Sequence, residues 1–481
     1  LESSAQYYDI QIRQLLGHLW FDKSEYEKAL PYLATYISKQ VKVETQDLYQ
    51  LSFCYFQTKQ WDKAIEGFKQ LTNGNDSLSQ NSMYLLATAY LKIENKIGAR
   101  NAFLFCSTQR QNLIQREISL FNYGKLSVEL KDYAQAVITL DEFIEQFPNS
   151  TYLSESKQLW IKALAQNNNF VQALKAYESV DKPDEDLMKV YPSILFGRSV
   201  VYINDGQFDK AYSLLCKIPQ THFNQSVLSQ SYFWIGELAY KLGRMDESIA
   251  AIDQYLLAPV NDGEINIQHA KYTQGFAYLK KGAYQNALTN FTSLTNNNPI
   301  NAKLNFQKDA YVRSADCQMM LKLFKPALQI YQNIIDLHWS YEDYATLQKS
   351  ILLGGMGKIN EKIDVLKRFD QTYPTSTYIS DARMELAETY IYKEDFQLAL
   401  SPLNAVIIDK NAIAFYPVAL YKLGVTYFNM NKNEAALQSF QELNRSYPNT
   451  VETENSIEFV RSIFLEEQQP ELFVQALEEI L

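Results

Sequence analysis

The sequence predicts an all-α solenoid of helix-turn-helix repeats, and three regularities carry that prediction. First, an aromatic residue stands three positions before an alanine at eight regularly spaced places, Tyr26/Ala29, Trp61/Ala64, Tyr133/Ala136, Phe170/Ala173, Phe208/Ala211, Tyr284/Ala287, Phe324/Ala327 and Phe396/Ala399. Successive copies lie 35 to 40 residues apart, or about twice that where a degenerate copy at Ala99, Ser248 or Lys362 intervenes. A fixed period in that range marks stacked supersecondary units, none of which can bury its apolar face alone.

The second regularity is a further small residue twelve positions before the alanine, or its equivalent Ser248, in ten copies, at Gly17, Ser52, Ala87, Gly124, Ser199, Gly236, Gly275, Ala315, Ala387 and Gly424. Two helices approach closely only where side chains are small, so the pair of small positions marks the crossing of an antiparallel hairpin. An aromatic follows three residues later in many copies, including Trp20, Tyr55, Tyr90, Tyr202, Tyr278, Tyr390 and Tyr427, and fills the space alongside. The third regularity is the turn. Gly206, Gly243, Gly282 and Gly357 fall seven residues after the small position, where a left-handed residue ends the first helix. Each second helix then stops before a proline in four copies, at Pro148, Pro299, Pro374 and Pro448.

Length and composition agree with one ordered body. The 481 residues are 47% hydrophobic and 14% aromatic, and 16 Gly and 13 Pro leave little material for disordered linkers. A formal charge of −10 opposes a polyphosphate, so nucleic acid is not expected as a partner. No stretch approaches eighteen consecutive apolar residues, and Leu1 to Ile10 lack the basic and apolar regions of a signal peptide. The chain does not begin with Met, which leaves room for a removed leader.

Groups for chemistry are few. Cys54, Cys106, Cys216 and Cys317 are far apart and read as buried small hydrophobes. His18, His222, His269 and His338 form no pair at metal-binding spacing, so no metal and no cofactor are expected. Gly354 to Lys358 reads GGMGK, but Leu352 and Ile359 stand where a phosphate loop needs Gly and Ser or Thr, so it reads as a helix turn. Ser154 to Lys157 lacks the companion motifs of a serine nucleophile, and Asn261, Asp262 and Glu264 offer too few oxygens for a calcium loop. The chain is expected not to be an enzyme. An active site supplied by residues outside this sequence is the least favoured reading.

The pattern resembles the tetratricopeptide repeat, or TPR, whose signature runs W-x2-L-G-x2-Y, then A-x3-F, then P. One copy carries it as Leu423, Gly424, Tyr427, Ala436, Phe440 and Pro448, and another as Gly275, Tyr278, Ala287, Phe291 and Pro299. The resemblance implies a right-handed superhelical solenoid of about twelve repeats over residues 1–450. These centre on Ala29, Ala64, Ala99, Ala136, Ala173, Ala211, Ser248, Ala287, Ala327, Lys362, Ala399 and Ala436. Three glycines at 354, 355 and 357 suggest a hinge. Residues 451–481 are expected to form capping helices or to begin a further repeat, and the apolar end Glu479-Ile480-Leu481 fits a piece of a longer protein.

The resemblance also implies a function. Members of this superfamily bind protein segments in a concave groove lined by positions two, five, nine and twelve of each first helix. Mapped here, those positions include Tyr49, Phe53, Phe56, Tyr84, Phe121, Phe196, Phe233, Tyr240, Tyr272, Phe276, Met319, Met384, Tyr421 and Phe428. Aromatic rings give large contact area for little entropy loss. No copy carries the Lys-and-Asn pair with which some members hold acidic chaperone C-termini. Three second helices end in an aromatic, Pro, any residue, then Ser or Thr: Phe147 to Ser150, Tyr373 to Ser376 and Tyr447 to Thr450. That ending is similar to the one in bacterial cell-envelope members such as the lipoprotein of the outer-membrane barrel-assembly machinery. The expectation is therefore a scaffold or assembly factor for proteins or extended peptides, in the periplasm or on the periplasmic face of the outer membrane. Peripheral membrane association would come through a complex. The alternative is a cytoplasmic peptide receptor or regulator.

Overall fold

Every repeat alanine named above falls in the second helix of a pair, and the helices follow from that spacing. The computed structural model describes residues 2–72, 74–221, 224–296, 298–468, 471, 473 and 474, with side chains from Tyr8 onward. Among the described residues the only non-helical pairing is a single bridge between Asp262 and Ile265. Two compact units result, residues 1–238 and 239–481.

In the first unit six hairpins follow one another: α1 (Glu2–Asp22) with α2 (Tyr26–Ser38), α3 (Thr45–Gln57) with α4 (Trp61–Lys69), α5 (Ser77–Lys92) with α6 (Lys96–Thr108), α7 (Leu113–Glu129) with α8 (Tyr133–Gln146), α9 (Leu153–Gln166) with α10 (Phe170–Glu178), and α11 (Glu185–Asn204) with α12 (Phe208–Leu215). Helix α13 (Gln225–Lys241) carries the chain into the second unit, which opens with α14 (Met245–Leu257). Five hairpins follow: α15 (Ile267–Lys280) with α16 (Tyr284–Thr295), α17 (Asn305–Met320) with α18 (Phe324–Asp336), α19 (Glu342–Gly355) with the broken helix α20 (Ile359–Lys367) and α21 (Phe369–Thr372), α22 (Ile379–Tyr392) with α23 (Phe396–Ile408), and α24 (Tyr416–Asn429) with α25 (Asn433–Ser446). Helix α26 (Val451–Glu466) then lays Val460, Ile463 and Phe464 against Ala436 and Phe440. The expected segment beyond it, from 469 on, lies almost wholly outside the described residues, as do Glu479 to Leu481.

The turn is more regular than its sequence. A left-handed residue stands seven positions after the small position in twelve turns, and only Gly206, Gly243, Gly282 and Gly357 are glycine. Ser24, Lys59, Glu94, Lys131, Asn168, Lys322, Glu394 and Asn431 hold the same conformation, with φ between 57° and 63°. In each turn the following amide donates to the carbonyl five residues back, as Gln60 does to Tyr55 at 2.8 Å and Lys432 to Tyr427 at 3.0 Å. That bond closes a Schellman cap, so the left-handed residue is imposed by the helix end whatever its side chain.

The glycines of the first small position meet the large side chain four residues past the alanine of the second helix. A Cβ built on Gly424 would lie 2.4 Å from the Phe440 ring, and one on Gly275 would lie 2.7 Å from Phe291. So close an approach forces the ring or the backbone to shift, at a cost of roughly 1–3 kcal/mol. Where serine takes the position, its hydroxyl bonds back to its own helix, Ser52 to the Leu48 carbonyl and Ser199 to that of Leu195, and so can be buried.

The degenerate tenth copy has its own solution. Lys362 replaces the alanine, and its stem lies over Gly354, where a Cβ would come within 3.1 Å of Cδ. Its ammonium reaches Glu385 on α22 at 2.7 Å. Glycine at 354 therefore makes room for lysine at 362. The aromatic-Pro endings also have a local role: the Ser150 and Ser376 hydroxyls accept the Tyr152 and Tyr378 amides, and Thr450 caps α26 through the Thr453 amide. Residues 185–189 form the start of α11, while residues 258–266 form a loop.

Candidate interaction face

Because the first helices of successive repeats stand side by side, residues at equivalent positions form rows across them. In residues 1–238, Tyr49 and Phe53 stand one turn apart on α3 with ring centroids 5.9 Å apart. Phe53 meets Phe21 and Tyr26 edge-on, and Phe56 meets Trp61 in the same way. Tyr84 on α5 packs edge-on to Phe103 at 6.2 Å. Tyr49, Phe53, Phe56, Tyr84 and Phe196 are all half-buried, so each gives one edge to the core and one to solvent. Phe233 and Phe121 are buried, at 2% and 3% exposure, and their rings are taken up by packing.

A hydrogen-bonded ladder links three of these first helices. The Tyr49 hydroxyl accepts from the Asn81 amide, and the Asn81 carbonyl accepts from Gln115 at 2.7 Å, joining α3, α5 and α7. Burial pushes the Tyr49 phenol above its ordinary pKa, partly offset by the Asn81 bond.

In residues 239–481, Tyr240 and Tyr272 both meet Phe276, at 6.4 and 5.0 Å, and the Lys280 ammonium lies 4.5 Å from the Tyr240 ring centre. Tyr421 and Phe428 share Phe459 of α26 as neighbour, at 6.1 and 5.4 Å. Tyr240, Tyr272, Phe276, Tyr421 and Phe428 are half-buried, Met319 likewise, and Met384 is buried. The structure thus gathers Tyr240, Tyr272 and Phe276 into one cluster and Tyr421 with Phe428 into another.

Sequence reasoning missed the polar centre between them. On α17, Arg313 is held by two carboxylates, Asp309 at 3.2 Å and Asp316 at 2.7 Å. Tyr272 of α15 donates to the other Asp309 oxygen at 2.8 Å. Tyr331 of α18 and Tyr344 of α19 both donate to Asp316, at 2.6 and 3.0 Å. The network spans α15, α17, α18 and α19, and every carboxylate oxygen in it accepts at least one bond. Burial lifts the Asp316 carboxyl above the usual range against the pull of Tyr331, Arg313 and Tyr344. Two Lys–Glu pairs lie further along the chain, Lys362 with Glu385 and Lys422 with Glu388. The available signal was a pair of aspartates seven residues apart, which places both on one helix face, with an arginine between them.

Beyond α19 a cavity of about 540 Å³ opens where Gly354 contributes no side chain, walled by Ile359, Lys362, Glu388 and Tyr392. Elsewhere the reactive side chains are used structurally. Cys54, Cys106 and Cys317 are free and buried, and burial pushes the Cys54 and Cys317 thiols up to about 12. Cys216 is half-buried. His18 bonds Asp47 at 2.7 Å, His269 bonds the Glu264 carbonyl at 2.9 Å, and His338 bonds Glu342 at 3.0 Å; His222 lies outside the described residues. Among the described residues no three His, Cys, Asp or Glu side chains are placed to share a metal ion, and no single helix is long and apolar enough to cross a membrane.

Two family models, both described as tetratricopeptide repeat, match the chain, one at residues 48–73, 119–150 and 418–450 and the other at 229–258. A curated relative, a TPR repeat-containing protein of Methanocaldococcus jannaschii, is 22% identical over 310 residues, which is 60% of this chain. This match covers 52% of that relative's length, so the chain spans about half of it. Among solved structures, the APC/C hetero-tetramer Cut9–Hcn1 is similar at 15% identity and a TM-score of 0.32, over 98% of this chain and 93% of that one. Naa15/Naa10 bound to HypK is similar at 13% identity and 0.32, over 98% and 80%. Such scores carry nothing about partners. The matched segments coincide with hairpins that share the small-residue crossing and the left-handed turn, and the chain belongs to the tetratricopeptide-repeat superfamily.

Proposed function

We propose that the chain is a non-catalytic scaffold that holds protein partners, extended or folded, along the concave groove formed by its first helices. Tetratricopeptide repeats support protein binding as the kind of work done. The single observation that carries the location is the face of residues 239–481: half-exposed rings at Tyr240, Tyr272, Phe276, Tyr421 and Phe428 flank an ordered Asp–Arg–Tyr centre. Rings supply contact area and the fixed polar groups supply register, the combination that concentrates binding energy at few residues. We further place this scaffold in a bacterial cell-envelope complex, a reading supported by the aromatic-Pro endings alone.

The test is affinity purification of the full chain with Phe196→Ala, Tyr240→Ala and Phe428→Ala combined, alongside the unsubstituted chain. Each lost ring removes on the order of 2 kcal/mol where it is a binding anchor. Partner recovery should fall at least tenfold while helical circular dichroism stays unchanged. Equal recovery of the same partner by both proteins would move the binding surface off this face.

A further inference from the structure

The second helix of the fifth repeat is short. Helix α10 has nine residues against fourteen in α8, the second helix of the repeat before it. A cavity of about 310 Å³ opens between the last turn of α8, one side of α9 and the end of α10. Its apolar walls are Ile144 of α8, Trp160 and Ile161 of α9, and Ala176 and Val180 at the end of α10. Pockets that take ligands begin at about 300 Å³, so this one has room for one or two apolar side chains.

Its rim is basic. Lys157 and Lys175 both line the opening, both are exposed, and neither has an ion-pair, hydrogen-bond or ring partner among the described residues. By contrast Lys162, five positions along the same helix, is held by Asp184 and Asp186. An apolar hollow between two unpaired lysines is complementary to an apolar side chain flanked by carboxylates.

We infer that this cavity is a second docking site, lined by residues other than the first-helix rings named above, for an acidic–apolar segment of a partner protein. The partner inserts a leucine-sized side chain against Trp160, Ile161 and Ala176 and sets carboxylates on Lys157 and Lys175. The site does not depend on what the first-helix face binds.

Trp160 is one of five tryptophans and reports on the cavity by fluorescence. The full chain is titrated with the blocked peptides Ac-EELLEE-NH2, Ac-QQLLQQ-NH2 and Ac-KKLLKK-NH2, and with octanoate as a small free acid. Binding of the glutamate peptide alone is expected, with a fluorescence change absent in Trp160→Phe. Lys157→Gln with Lys175→Gln should weaken it roughly three- to tenfold, the worth of two exposed ion pairs. Ala176→Phe, which fills the hollow, should abolish it while leaving the thermal midpoint and helical dichroism in place. If Ala176→Phe perturbs the fold, the lysine pair alone decides. Equal binding of the glutamine or lysine peptide, no effect of the lysine replacements, or saturation by octanoate in preference to the peptide would each overturn the proposal.

Discussion

Replacing Lys59, Lys131 and Lys322 with glycine should stabilise the protein, although no contact is gained. Each lysine sits in the left-handed region, at φ 59°, 63° and 60°. Each side chain is exposed, and none has a hydrogen-bond or ion-pair partner among the described residues. A residue with a Cβ pays about 1–2 kcal/mol to adopt that conformation, because the Cβ crowds the following carbonyl. Glycine removes the crowding but adds freedom to the unfolded chain, worth roughly 0.5–1 kcal/mol in the other direction. The net expectation is a gain of a few tenths to about 1 kcal/mol per site. Sites 59 and 131 lie in the first unit and 322 in the second, so urea denaturation of the singles and the triple should show additive shifts of the midpoint. Alanine at the same sites keeps the Cβ and should bring no gain. A loss of stability on glycine replacement, or an equal gain from alanine, would refute the left-handed assignment and with it the common turn register.

Three further expectations follow from particular side chains. Gly354→Ala should be at least about 0.5 kcal/mol more favourable in a Lys362→Ala background than in the native chain, since the added Cβ then meets no lysine stem; a double-mutant cycle with no coupling would contradict the packing at 354. Asp316 has its carboxyl raised in the folded state, so the native protein holds the extra proton. Its contribution is fully present below the unfolded value near about 3.9 and declines as pH rises through the folded pKa. The urea midpoint of the native chain should therefore fall relative to Asp316→Asn between acid and neutral pH, and a difference that is flat or grows in the native chain's favour would reverse the sign. The hinge we propose at Gly354, Gly355 and Gly357 should give faster amide exchange there than at the Glu394 and Asn431 turns, whereas equal rates would remove it.

The repeat period, the crossing residues and the second-helix alanines were legible because each rests on one irreplaceable property, smallness. Gly424 against Phe440 and Ala399, wholly buried, admit no larger side chain. Eight of the twelve turns were not legible, because a Schellman cap imposes its conformation on Lys59 or Glu394 through backbone bonds that leave no trace in residue type. Lys362 looked like a broken register until Gly354 and Glu385 supplied the space and charge it needs from two other helices. The face itself was legible only as a set of rings. Tyr272 was named for its area, yet its hydroxyl is bonded to Asp309 of the next repeat, a long-range pairing that no local pattern encodes.

Site-specific photo-crosslinking in cells tests the central claim most directly. A benzophenone residue is placed singly at Phe196, Tyr240 and Phe428 on the first helices, and at Ile97 and Leu398, which are exposed on second helices. Partner adducts should arise from the first three positions and be absent from the last two. Adducts confined to Ile97 and Leu398 would contradict the account.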